Sequence, residues 1–588
     1  MKAGLWIALA WLTAAADGQQ LRSLKDVAVP EPPELSSYVR DRGALIALGK
    51  ALFWDMQAAS DGRTACATCH FHAGADHRPR NQIADPNNPF PANLFLEQVN
   101  FPLRRLSDPS NRNSEVVWDS QMRVGSAGVF RRMFHDVVPG AAVEVGEETL
   151  DRPEFMIGGL LVRRVTARNT PTVINAVFQV RNFWDGRASR FFNGFTPSGN
   201  TTDAPGLLAA RDGALRREQV RLDRASLASQ AVGPVLDHLE MSYEGRSWPK
   251  LGKKLFSLRP LALQRVAPDD SVLGGIARIG GRGLRADVTY LGLVQTAFEP
   301  VWWESPQRVD EAGNTISAGT GLFRGTREFT QAEYNFSFFW GLAIQAYEAT
   351  LVSDDSPFDR SMEANQGGLS RLEQEGLDLF RNNNEGRCTL CHGGAEFTAA
   401  SFTAAAGGGG NANRAFQRTG VRSTEEDPGS GNGAFKSSGL RNIEFTGPYF
   451  HNGGQATLEQ VVEFYARGGD FGANNNLRRF DATESRKAAL VAFLKALTDD
   501  RVRFERAPFD HPELCVPAGH PEEEPGLLLA AGSLLFPRAA AERWVEIPAV
   551  GAGGNVVPLR TFEELLAGIG ADGSRAHSLG APCTIPLP

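Results

Sequence analysis

The sequence predicts a mainly α chain in two related halves, interrupted by large loop insertions and closed by a C-terminal extension. Three observations carry this reading. A Cys-x-x-Cys-His pentapeptide occurs twice, as "CATCH" at 66–70 and "CTLCH" at 388–392. Each is preceded by an amphipathic segment ending in Leu-Phe, Leu52-Phe53 and Leu379-Phe380, a weak internal repeat. Strand-like alternation of polar and apolar residues is scarce elsewhere.

The elements follow in chain order. Lys2, the apolar run Gly4 to Ala14 and the small residues Ala14-Ala15-Ala16 read as a signal peptide over residues 1–16. The expected mature protein is exported, which in this setting means periplasmic. Residues 41–53, "DRGALIALGKALF", place Leu45, Leu48, Leu52 and Phe53 on one helical face. Residues 81–115 are rich in Asn and Pro and read as loop. "YNFSFFWGLAIQAYEATL" at 334–351 is the most apolar helix after the signal segment and reads as core. "SDDSPFDR" breaks the chain, and "SRLEQEGLDLFRN" then forms the helix before the second pentapeptide. "SRKAALVAFLKALTD" at 485–499 is an amphipathic helix that closes the second half. After Pro508 the chain is Pro-rich and acidic and reads as an appendix. The expected division is 17–333, with insertions at about 81–165 and 245–333, then 334–505, then the extension 506–588.

At 588 residues the chain is too long for one ordinary core. Its net charge of -7 argues against a nucleic-acid partner and leaves no polybasic membrane patch. No later stretch reaches the length of a membrane span.

Six cysteines remain to be placed. Four belong to the pentapeptides. In an oxidising compartment the other two, Cys515 and Cys583, most simply form a disulfide. A thioredoxin-like pair needs a βαβ setting and no following His. A structural zinc site needs four ligands, and each pentapeptide offers three. Cys-x-x-Cys-His instead fixes two porphyrin vinyls as thioethers and sets an imidazole on the iron. Cys66, Cys69, Cys388 and Cys391 are therefore read as attachment sites for two haem c groups, with His70 and His392 as proximal ligands. The fold expected is two cytochrome c-like haem domains.

The inventory limits what stands opposite each iron. The seven methionines are at 1, 56, 122, 133, 156, 241 and 362, so none follows the second pentapeptide. Local candidates there are His451, Tyr449 and Tyr465. Tyrosine ligation favours higher oxidation states than the Met ligation of ordinary electron carriers.

Beyond the pentapeptides, four ordered motifs stand out: "RNTPTVINAVFQVRNFWDGRA" at 168–188, "QAVGPVLDHLEM" at 230–241, "AIQAYEATLVSDDSPFDR" at 343–360 and "LRNIEFTGPYFHNGGQATLEQVVEFYARGG" at 440–469. With these the chain resembles the bacterial di-haem cytochrome c peroxidases and their relative MauG, over residues 40–80, 165–245 and 334–500. The resemblance implies a peroxidatic N-terminal haem and a C-terminal haem that stores or passes an electron. It implies that Trp184 lies between the haems, and that Gln230, Pro234 and Glu240 form the distal pocket of the first. A Glu there can take a proton from one peroxide oxygen and return it to the other, if burial raises its pKa. It further implies a calcium ion held by Asn169 and by the backbone carbonyls of Thr446 and Pro448, hard oxygen donors completed by water. The second haem's distal position falls on Tyr465, fourteen residues after His451. Peroxidases of the family carry Met there, whereas MauG and similar protein-modifying enzymes carry Tyr.

Departures from the pattern are also clear. The two pentapeptides begin 322 residues apart, more than in compact members. His72, His77 and His135 are available as a resting ligand of the first haem, but none falls on a clear match. The inserted "FEPVWWESP" carries Trp302-Trp303, which reads equally as a haem cover, a partner surface or structure. The expected activity is oxidation by hydrogen peroxide. The donor would be a small cytochrome or copper protein, or else the substrate is a partner protein's Trp or Tyr side chains. A di-haem oxygenase using dioxygen and a plain electron carrier are the alternatives. The family often forms dimers.

Overall fold

The computed structural model describes residues 20–79, 96–157, 160–316, 327–363, 368–382, 384–406, 415–471, 475–519, 538–568 and 581–587. The signal segment expected over 1–16 lies outside them. Fourteen α-helices and several small sheets make up the described chain, and helix accounts for 29% of it. That is less than a mainly α reading implies, because inserted and connecting segments form irregular loops and short hairpins. Examples are Arg104–Leu106 with Val116–Asp119 and Leu207–Arg211 with Ala214–Glu218.

Two helix crossings organise the molecule. In the first half, helix Arg42–Trp54 starts where the Asp41 carboxylate accepts from the Ala44 amide, 2.8 Å, an N-cap worth about 1 kcal/mol. It packs across helix Phe336–Glu348. The contact is backbone-close: a Cβ on Gly49 would stand 1.9 Å from the Ala343 carbonyl oxygen. In the second half, helix Arg371–Arg381 starts with a reciprocal Ser370–Glu373 capping box. It crosses helix Glu484–Lys495, and a Cβ on Gly376 would stand 2.0 Å from the Ala489 carbonyl oxygen. The two halves therefore repeat one device: a glycine in the helix preceding each pentapeptide admits a partner helix.

The apolar segment expected as one helix over 334–351 is broken at Asn335, between helices Gln331–Tyr334 and Phe336–Glu348. The Asn335 side chain accepts from the Leu208 amide at 2.9 Å. It also donates to the Leu208 and Trp302 carbonyls, each at 2.8 Å. The longer helix belongs by packing to the first core, with Leu48, Leu52 and Phe53, and not to the second. The second core gathers Phe358, Leu377, Phe380, Phe397, Leu458 and Phe493. By packing, then, this helix groups with the first core, which also takes in Phe445 and Val502 from later in the chain.

The C-terminal segment is not an appendix. Strand Leu514–Pro517 pairs with Trp544–Ile547, and Leu514, Cys515 and Val516 are buried in the first core. Cys515 is bonded to Cys583. Trp302 stacks on Tyr38 at 5.4 Å and is buried, and the Trp303 indole donates to the Phe298 carbonyl at 3.1 Å. Both tryptophans of "FEPVWWESP" thus have structural places.

Gly49→Ala should destabilise the protein by about 1–3 kcal/mol, the cost of overpacking a close contact, seen as a lower urea midpoint. Gly553→Ala, where nothing lies within 4 Å of the new Cβ, should leave the midpoint in place.

Candidate haem sites

The first pentapeptide forms a single helical turn, Ala67–His70, after Cys66. The buried Thr68 hydroxyl accepts from the Ala65 amide at 2.9 Å and fixes its entry. The His70 Nδ1 lies 2.8 Å from the Gly74 carbonyl. A carbonyl can only accept, so Nδ1 carries the hydrogen and Nε2 keeps its lone pair, as an iron ligand requires. Burial also lowers the His70 pKa and favours the neutral ring. The second pentapeptide repeats this: the His392 Nδ1 is 3.0 Å from the Ser438 carbonyl, and burial again lowers its pKa. None of the four pentapeptide cysteines takes part in the Cys515–Cys583 disulfide, which leaves their sulfurs for addition to vinyl groups. Burial holds the thiols of Cys69 and Cys388 up to about 12. Thiol pair, tautomer and neutral imidazole all fit a covalently attached haem at each site.

Gln230, Pro234 and Glu240 lie on one segment, whose Glu240–Met241 end reaches the first site. Gln230 belongs to helix Ser226–Ala231, which the long apolar helix holds by two side chains. The Trp340 indole donates to the Ala231 carbonyl at 3.0 Å, and the Gln345 amide oxygen accepts from the Ala228 backbone at 2.9 Å. Pro234 opens the turn Pro234–Leu236. At the end of the segment the Met241 sulfur touches the Cys66 sulfur at 3.9 Å. The Glu240 carboxyl is raised to about 7, by burial first and then by Asp237, with Arg187 opposing. Its charge is felt by the thiols of both Cys66 and Cys69.

The three histidines separate. His135 is exposed on strand Arg132–Asp136, with Nε2 3.5 Å from Glu147. His72 and His77 are buried and stack on each other, centroids 3.5 Å apart and 7° from parallel. The His72 ring also meets Phe445 edge-on at 6.2 Å, and Glu505 and Arg560 act on it electrostatically.

The second site opens on a cavity of about 320 Å³ lined by Cys388, Cys391, His392, Tyr465, His451 and Trp184. Tyr465 sits in helix Leu458–Ala466. Burial raises its pKa, and the nearby Cys391 and Cys388 add to the shift. Of the other local candidates, the Tyr449 hydroxyl donates to the Ile443 carbonyl at 3.1 Å. His451 stacks on Phe435 at 3.6 Å, and its buried Nε2 has no partner among the described residues. Burial lowers the His451 pKa to about 3. The Trp184 indole donates to the Asn169 carbonyl at 2.7 Å and meets His451 edge-on at 6.3 Å. Arg168 clamps this region, binding Asp185 at 2.7 Å and Asp427 at 2.7 and 2.9 Å. Asn169, Thr446 and Pro448 line the same cavity. Among the described residues no group of three or more His, Cys, Asp or Glu could hold a metal ion. A calcium ion at these three would therefore rely on neutral oxygens and water.

Two buried ionisable groups escaped the sequence reading. Glu348, at the end of the apolar helix, is raised to about 8 by burial, and its Oε2 has no partner among the described residues. Its charge reaches Cys66. Lys436 lines the cavity and is lowered to about 7 by burial, against the pull of Asp185. A charge ending an otherwise apolar helix was the available signal for Glu348; nothing in "FKSS" singled out Lys436.

Residues 43–259 match the sequence profile of a family described as di-haem cytochrome c peroxidase. The chain is 38% identical over 175 residues to a cytochrome c551 peroxidase of Nitrosomonas europaea, covering 28% of this chain and 45% of the relative. It is 30% identical over 159 residues to the methylamine utilization protein MauG of Methylorubrum extorquens, covering 26% and 42%. The chain is similar to the di-haem cytochrome c peroxidases and MauG, with the family profile matched over residues 43–259. It spans about half the length of these relatives. A solved MauG-like protein associated with microbial copper homeostasis aligns over 82% of this chain and 97% of its own, at 17% identity and a TM-score of 0.41. The family so matched is one of haem c proteins. The matched stretch holds the first site, whereas the second pentapeptide and Tyr465 lie beyond residue 259. No helix among the described residues is long and apolar enough to cross a membrane.

Alkaline pyridine haemochrome assay of the purified protein should give two covalently held haems per chain. The double variant Cys388→Ser/Cys391→Ser should give one.

Proposed function

We propose that this chain is a periplasmic di-haem c-type oxidoreductase that reacts with hydrogen peroxide at its first site. Oxidising equivalents then reach a donor by way of the second site. The observation that carries this is the half-buried Glu240 carboxyl, next to Met241, whose sulfur touches Cys66 at 3.9 Å, and held up to about 7. A carboxyl poised near neutral pH can both accept and return a proton. Haem held by Cys66, Cys69 and His70, with a second held by Cys388, Cys391 and His392, would supply the iron chemistry that takes electrons to peroxide and stores the second oxidising equivalent.

The chain's own residues divide the remaining work. A Glu240 carboxylate oxygen takes the proton of one peroxide oxygen and returns it to the departing one. Gln230 and Pro234, on the segment held by Trp340 and Gln345, orient peroxide and limit water. Tyr465, which lines the same cavity as His392, would help hold the second haem's iron. Trp184, anchored through Nε1–H on Asn169, lies on the path between the sites, and a calcium ion on Asn169, Thr446 and Pro448 steadies that junction. The donor is a small cytochrome or copper protein. The Tyr465 assignment also favours a second reading, in which aromatic side chains of a partner protein are oxidised, because a tyrosine ligand holds iron in higher oxidation states.

Glu240→Gln should slow peroxide consumption by about 10²–10⁴-fold, the usual worth of general acid–base catalysis; an unchanged rate would remove the role. The accepting form is the carboxylate, populated above its pKa of about 7. The wild-type rate should therefore fall as pH drops through that value, and the variant should lose this step. Tyr465→Phe should keep both haems attached but change the low-spin electron paramagnetic resonance signal of one; an unaltered signal would refute the ligand assignment.

A further inference from the structure

A run of buried rings leaves the His70 side of the first site and ends beneath the C-terminal segment. Phe53 lies 6.2 Å from the His70 ring and 5.4 Å from the Tyr347 ring, centroid to centroid. Trp54 follows at 6.0 Å from Phe53, and its Nε1–H donates to the Tyr347 Oη at 2.9 Å. His511 then stacks flat on Trp54, 4.6 Å away and 7° from parallel. Trp54, Tyr347 and His511 are all buried.

The charges around Trp54 are also buried. The His511 ring nitrogens face acceptors on both sides, the Pro512 carbonyl at 2.9 Å and Glu505 at 3.1 Å. Two acceptors call for two N–H groups, so the ring is an imidazolium. Lys50 Nζ lies 2.8 Å from Asp270 and 3.2 Å from Asp510, and both carboxylates act electrostatically on Tyr347. Two cations, Lys50 and His511, thus face three anions, Asp270, Asp510 and Glu505. The cluster carries one more negative than positive charge; the His511 cation stacked on the indole opposes a new positive charge there, and the three carboxylates behind it act the other way.

We propose that Trp54 is a one-electron donor to the first haem, giving up an electron from its indole when that haem has been oxidised. The proposal rests on the peroxide reading above. One electron leaves the indole π system, passes along Phe53 and Tyr347, and reduces the haem by one equivalent. No bond breaks. The Nε1 proton stays on its nitrogen, still donated to Tyr347, and the indole remains as a radical cation. The phenol is the poorer terminus, because an oxidised Tyr347 must shed its proton. Among the described residues its hydroxyl accepts from Trp54 but donates to no acceptor.

The test uses the di-haem protein carrying ring-deuterated tryptophan, with external donor excluded. Freeze-quench electron paramagnetic resonance after peroxide should show a protein radical narrowed by the label. Trp54→Phe should lose it while keeping both haems and its far-ultraviolet dichroism. On ageing, mass spectrometry should find oxygen added at Trp54. Should Trp54→Phe not fold, Tyr347→Phe replaces it and must change the hyperfine pattern, since it removes the acceptor of the Nε1 hydrogen bond. If peroxide is consumed and the radical is identical in wild type and variant, the proposal is overturned. If peroxide is not consumed, the peroxidase reading fails, and flash-quench oxidation with a ruthenium sensitiser decides. A signal present in wild type and missing in the variant upholds Trp54 as the donor; matching spectra overturn it.

Discussion

The structure depends on one buried helix, Phe336–Glu348. It meets the helix that leads into the first pentapeptide at Gly49, so closely that no larger residue fits without a shift. Through Trp340 and Gln345 it also holds the helix that carries Gln230. The attachment motif and the expected distal segment are thus tied to the same rigid element. A reacting pocket needs its parts held to within a fraction of an ångström. A single helix gripping both does this without relying on the irregular chain that makes up most of the molecule. The second half has the same crossing at Gly376 but no equivalent long apolar helix, which suits a site with less to position.

How much of this was legible in the sequence varies with the kind of signal. The pentapeptides and their preceding helices were readable because the spacing is local: two thiols and an imidazole within five residues need no knowledge of the rest of the chain. The Cys515–Cys583 pair was readable by subtraction. What failed were non-local assignments. Residues 334–351 read as the opening of the second domain because they follow an insertion and precede a chain break. Their burial on every face is what sends them to the larger core, and periodicity does not report which core a helix joins. The extension after Pro508 read as an appendix because its composition is that of a loop. Its residues Leu514, Cys515 and Val516 are nevertheless buried together in the first core. Asn335 breaks a run that looked continuous, since its side chain satisfies the backbone of Leu208 and Trp302.

Burial disfavours charge at both sites, on different groups. Around the first, Glu240 and Glu348 are both raised toward neutral pH, which keeps carboxylic protons available where peroxide would need them. Around the second, the basic groups Lys436 and His451 are both lowered, while Arg387, Arg441 and Arg478 also line the cavity. Lys436, so lowered, is not a strong fixed cation in that cavity. An anionic group entering the cavity would find Lys436 ready to take up a proton and pair with it.

The extension gives the first half a second boundary beyond its haem motif. Its strand pair seals Leu514 and Val516 into the core, and the turn before it brings His511 and Glu505 over Trp54. Any oxidising equivalent leaving the first site on the His70 side must therefore cross material contributed by the far end of the chain. An imidazolium stacked on an indole opposes oxidation of that indole. Glu505 at one edge of the imidazolium and the Asp270–Lys50–Asp510 group beyond act the other way. The balance is net negative, but only by one charge, so the indole's potential depends on every member of the cluster being in place. That makes the packing of the extension, and not merely its presence, a determinant of how readily the first half can be oxidised beyond its haem.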